Sequence, residues 1–131
     1  MIDKSNRIII HQVALTNGGA EVSIELKYAE SIYPGKAPSG VGDHAQMVAA
    51  SNALINAVNS IIPTPIVTRV AEIQQVRFQS VAETVIVTLV GIRIKGQEML
   101  FSGSARLENQ LLQTVVRATL DAINRPIGLV L

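Results

Sequence analysis

Apolar and polar residues alternate with period two where Val22, Ile24, Leu26 and Tyr28 interleave with Glu21, Ser23, Glu25 and Lys27. Successive side chains of a strand point to opposite faces, so this stretch predicts a strand with one buried and one wet face. The preceding run RIIIHQVAL (Arg7–Leu15) is short and β-branched. Asn17, Gly18 and Gly19 lie between the two runs, and residues that tolerate positive φ there predict a tight hairpin. A third strand is expected near Ile32–Ala37, at a sheet edge, because Pro34 has no N–H to give to a ladder. The period then changes. Ala50, Ala53, Leu54, Ala57, Val58 and Ile61 recur at helical spacing and form one apolar stripe, with Ser51, Asn52, Asn56 and Asn59 off it. Asp43, with Gln46 three residues on, reads as the N-cap of this helix, and Pro63 and Pro65 stop it.

The second half repeats the order. VTRVAEIQQVRFQ and ETVIVTLVGIRI read as strands, KGQE as a turn and MLFSGSAR as a third strand. Asn109 reads as the cap of a helix with the stripe Leu112, Val115, Val116, Thr119, Leu120 and Ile123, ended by Pro126. Both faces of Val85–Ile94 are apolar, which predicts a central strand covered on both sides. The apolar tail IGLVL is expected to fold back on the body or meet a partner.

The two halves share a finer pattern. Tyr33-Gly35-Ala37 leads to a helix with Ala57 and Asn59, and Phe101-Gly103-Ala105 leads to one with Ala122 and Asn124. The first copy has a longer glycine-containing loop before its helix. The expected fold class is therefore α+β, two repeated β-β-β-α units with antiparallel sheets and helices packed on one face of each. Residues 1–131 form a single domain, with a first unit at 7–62 and a second at 66–125. A sheet-and-helix layer cannot bury both its faces alone, so the remaining face calls for the other unit or a symmetric partner chain.

Composition narrows the function. Hydrophobic residues make up 48% of the chain and net charge is +1, which leads to the expectation of a folded chain that forms a homodimer or higher homo-oligomer, and gives no global field for nucleic acid or an anionic membrane. Cysteine is absent, which excludes thiolate chemistry, disulfides and zinc–cysteine sites. The polar start MIDKSNR and the lack of an apolar run of about 20 residues lead to the expectation of a soluble cytoplasmic protein. His11 and His44 have no further ligand-type residues beside them, so both read as structural or surface groups and no metal or cofactor is expected. Ser39, Ser102 and Ser104 adjoin glycines but form no G-x-S-x-G elbow, so catalysis is not expected. Arg106, Arg117 and Arg125, balanced by Glu108 and Asp121, read as solvated surface or intersubunit pairing.

The segment SGVGDHAQMVAASNALINAVNS, through Gly40, Gly42, Asp43, Ala49, Ala50, Ala57 and Asn59, resembles the C-terminal regulatory domain of isopropylmalate and citramalate synthases. The resemblance implies two β-β-β-α units pairing into a homodimer and binding an end-product amino acid, leucine or isoleucine, near the dimer interface. The catalytic barrel of those enzymes has no counterpart in this chain, so the role implied is non-catalytic. The candidate ligand-binding residues are Gly40, Val41, Gly42, Asp43, His44 and Ala45: glycines admit close backbone approach, and a helix N-terminus suits a carboxylate. Asp43 meets an ammonium in that reading, whereas in the simpler one the glycines make a turn and Asp43 caps the helix. Two alternatives stand beside it, a purely structural assembly module and a double-stranded-RNA-binding module. The latter needs lysines where Asp43, His44 and Gln46, or Glu108, Asn109 and Gln110, stand.

Overall fold

The computed structural model describes residues 7–128. Its first unit runs β1 (Ile9–Thr16), β2 (Glu21–Tyr28), β3 (Ser31–Pro38) and α1 (Asp43–Ile61). The second runs β4 (Val67–Phe78), β5 (Glu83–Ile94), β6 (Gln97–Arg106) and α2 (Leu111–Ile127). Each unit has a three-stranded antiparallel sheet, ordered β1-β2-β3 and β4-β5-β6, followed by its helix. The α+β class and the two repeated units expected from the pattern are both present.

The alternation in β2 sorts as expected: Val22, Ile24 and Leu26 are fully buried while Glu21, Ser23 and Glu25 are half-buried. Each such aliphatic side chain contributes roughly 1.5–3 kcal/mol on full burial. Asn17, Gly18 and Gly19 all take positive φ in the β1–β2 connection, as their types allow. The β2–β3 and β5–β6 turns use Ala29–Glu30 and Lys95–Gly96, again with positive φ throughout.

Each helix lies over the last two strands of its own sheet, and the units join through their helices. Helix α1 also reaches β4, while α2 touches β1 more lightly. The side chains of Ser51 and Thr119 meet between the helices, fully buried and 2.8 Å apart. Asn59 fastens the connection between units: its Nδ2 donates to the Val67 carbonyl at 3.0 Å and its Oδ1 accepts from the Val67 N–H at 3.3 Å.

Several expectations need correction. Strand β5 is central, but only one of its faces is fully covered. Ile86, Thr88, Val90 and Ile92 are buried under the helix, whereas Val85, Val87 and Leu89 on the other face are half-buried. Among the described residues no layer lies over that outer face, because the first unit joins at the helix side. Ser51 belongs to the core, since α1 is wedged between its own sheet, α2 and β4 and buries more than one stripe. The N-cap of α1 is Gly42, not Asp43, and that of α2 is Gln110, not Asn109; neither cap uses a side chain. Asp43 still stands in the first turn, where a negative charge suits the helix dipole. Pro126 sits inside the last turn of α2, and the helix ends one residue later. The end of the tail IGLVL, residues 129–131, lies outside the described residues.

Candidate functional site

The repeated aromatic-x-Gly-x-Ala motif is a packing device. A Cβ on Gly35 would stand 2.1 Å from the Ala53 carbonyl oxygen and 2.7 Å from the Ala57 nitrogen. A Cβ on Gly103 would stand 2.2 Å from the Ala118 carbonyl oxygen and 2.3 Å from the Ala122 nitrogen. Each helix backbone therefore rests directly on a strand glycine, and alanines on the helix complete the close approach.

This close seating brings the next helical turn to the open edge of the sheet. Asn56 Nδ2 donates to the Lys36 carbonyl at 2.8 Å in the first unit. At the matching place in the second, Asp121 Oδ2 accepts from the Ser104 N–H at 3.0 Å. The residues two beyond Ala57 and Ala122 differ more. Asn59 is closed onto the backbone of Val67. Its counterpart Asn124 is exposed and shows no such pair among the described residues.

Asn124 instead lines a cavity of about 330 Å³ between β6, α2 and β1, near the lower end of the roughly 300–1,000 Å³ usual for small-molecule sites. Ile10, Ala105 and Leu120 form its apolar side, and Arg106, Glu108, Arg117 and Asp121 its charged side. The ion pairs there are long and exposed: Arg106 to Glu108 at 3.5 Å and to Glu83 at 3.9 Å, and Arg117 to Glu108 at 3.6 Å. Such pairs contribute at most about 1 kcal/mol, so an incoming carboxylate can replace Glu108 at little cost. The Asp121 oxygen not bonded to Ser104 faces no recorded partner among the described residues and can accept from an ammonium. The site thus offers guanidinium, carboxylate, side-chain amide and aliphatic surface within one small space.

The sequence pointed elsewhere. Gly40, Val41, Gly42, Asp43 and His44 are all exposed, Val41 completely, and Ala45 is half-buried. None of the six lines the cavity. Gly42 takes φ +101°, which by itself explains the residue type, and a Cβ on Gly40 would press within 3.3 Å of the Ala45 Cβ. The first-turn N–H groups of α1 lack a side-chain cap. Arg106 and Arg117, read from the sequence as a small basic cluster, do converge with Glu108 and Asp121; Arg125 does not line the same space. Ile10 and Asn124 were missed as members of any site. The one available signal for Asn124 was that it repeats Asn59 at the matching place of the second helix.

Elsewhere, Glu98 on β6 reaches Thr68 and Arg69 across the outer face above Gly91, with the Arg69 Nη2 at 2.9 Å. The hydrogen bonds from Arg69 and then Thr68 hold its carboxyl below the usual carboxylate range. His11 stands 3.9 Å from Glu25 on the surface. Among the described residues, no group of three or more His, Asp or Glu is disposed to hold a metal ion, and no helix is long and apolar enough to cross a membrane. Comparison of the chain with protein-family models and with curated proteins gives no match.

Proposed function

We propose that this chain is a non-catalytic, cytoplasmic regulatory domain that binds a small zwitterionic metabolite of the branched-chain amino-acid type and associates with a second copy of itself. The observation that carries the reading is the difference between the two junctions. In the first, the Asn59 amide holds a backbone N–H and C=O. In the second, Asn124 stands at the same place in the repeat but opens on a cavity lined by Arg117, Asp121 and Leu120. An amino acid supplies what that cavity lacks: a carboxylate for the guanidinium groups, an ammonium for Asp121 and a branched chain for Ile10, Ala105 and Leu120. The reading agrees with the resemblance to isopropylmalate synthase regulatory domains in architecture and ligand class. It moves the ligand away from Gly40–Ala45, where the exposed turn offers no apolar enclosure.

Calorimetric titration with L-leucine, L-isoleucine and L-valine tests it. Saturable binding of at least one is expected, and Asp121→Asn should weaken it about tenfold or more, equivalent to about 1.4 kcal/mol. No heat from any of the three at millimolar concentration would remove the amino-acid reading.

A further inference from the structure

The described sheets have four edges, and three of them are guarded against pairing with another strand. On β3 the carbonyl of Lys36 points outward, to Asn56. In an antiparallel strand, backbone groups point alternately to one side and the other. Pro34 and Pro38 therefore also face outward on β3, and neither has an N–H to offer. The pairing of β1 with β2 is broken by an irregularity between Ile10 and Gln12, and that of β4 with β5 by two, at Val67/Arg69 and Val70/Glu72. Bulges and prolines are the ordinary means of keeping an edge from templating another strand.

Strand β6 carries none of these. Its pairing with β5 is unbroken from Val85↔Arg106 to Ile94↔Gln97 and it contains no proline. The Ser104 N–H points outward, to Asp121, so by alternation Ser102, Leu100 and Glu98 also face outward. Met99 and Leu100 are 48% and 53% exposed.

We propose that the outward edge of β6 between Glu98 and Ser102 pairs antiparallel with the same edge of a second copy, joining two β4-β5-β6 sheets into one six-stranded sheet. The inference rests on the self-association reading above and specifies where it occurs. The stretch has its midpoint at Leu100, so a two-fold axis there sets Leu100 opposite the second copy's Leu100. Met99 then meets Phe101 and Glu98 meets Ser102. Apolar side chains pair on both faces and no like charges are opposed, the arrangement that favours cross-strand pairs. On the outer face the junction extends the half-buried apolar row Val85, Val87 and Leu89. A two-fold isologous contact also closes on itself, which limits the assembly to a dimer.

The chain has no cysteine, so a single engineered one reports cleanly. Directly opposed residues of an antiparallel pair have Cα atoms about 4.5–5.5 Å apart, within disulfide range. Under mild oxidation Leu100→Cys should give mostly covalent dimer, while Ile32→Cys on the guarded β3 edge should not. Ser102→Pro removes an outward N–H that β5 does not use, and Leu100→Lys opposes two charges. Both should sediment as monomers with unchanged circular dichroism. A wild-type monomer at micromolar concentration would overturn self-association itself. A dimer that persists in both variants, with Leu100→Cys left uncrosslinked, would keep self-association and overturn the β6 edge.

Discussion

Gly35 and Gly103 show what a single hydrogen atom in place of a methyl does here. A Cβ at either position would collide with helix backbone, which cannot rotate away as a side-chain tip can. Gly35→Ala and Gly103→Ala should each lower stability by about 1–3 kcal/mol, the range for overpacking a close contact. Denaturant midpoints would measure this, and an unchanged midpoint would mean that the helices do not rest on the glycines. Thr119 is a third residue on which one group decides the packing. Its hydroxyl lies 2.8 Å from the Val115 carbonyl and 2.8 Å from the Ser51 hydroxyl. With one proton to give, Thr119 donates to Val115 and accepts from Ser51, which leaves no buried hydroxyl idle. Thr119→Val therefore strands the Ser51 proton and should cost about 1–3 kcal/mol, whereas Ser51→Ala leaves Thr119 bonded and should cost less. Equal losses in a thermal or denaturant comparison would reverse that donor assignment. Glu98 sets a pH dependence. Its folded-state carboxyl is held below the ordinary range, so its stabilising effect is present above the unfolded-state value and is lost as pH falls through the folded one. Glu98→Gln should flatten that part of the acid unfolding curve, and identical acid limbs would dismiss it.

At the scale of elements, strands and helices were legible because their periods differ so plainly. Val22, Ile24 and Leu26 alternate, and Ala53, Leu54, Ala57 and Val58 recur at helical spacing. The Gly-x-Ala motif was visible as a repeat, but its use as a seat for the helix needed the Gly35–Ala53 and Gly103–Ala118 distances. Ser51 was misplaced because hydropathy sees a hydroxyl as surface, while α1 is enclosed on several sides and its Ser51 finds a partner on another helix. Strand β5 was assigned two covered faces because Val85, Val87 and Leu89 are apolar. Their cover in this chain is partial, and the proposed six-stranded sheet continues that face without roofing it. The caps were misread by one residue each, since Gly42 and Gln110 end the loops by backbone geometry without a side-chain bond. Of the cavity only the charged side, Arg106, Glu108, Arg117 and Asp121, was legible as a cluster. Ile10 lies on the first strand and Asn124 on the last helix, and only the folded topology brings them together.

At the scale of the whole molecule, duplication explains both the stability of the fold and its asymmetry. Each unit alone would expose the buried side of its helix, and the two helices meeting at Ser51 and Thr119 solve this for both. The copies then differ where they join. The first junction is closed by Asn59 on Val67, and the second opens at Asn124. The most direct test is to map amide chemical shifts of the labelled protein during titration with L-isoleucine. Saturable shifts are expected at Ser104, Ala105, Arg117, Asp121 and Asn124, with Gly40–Ala45 unmoved. Shifts confined to Gly40–Ala45, or none anywhere at millimolar ligand, would contradict the assignment of the open junction as the binding site.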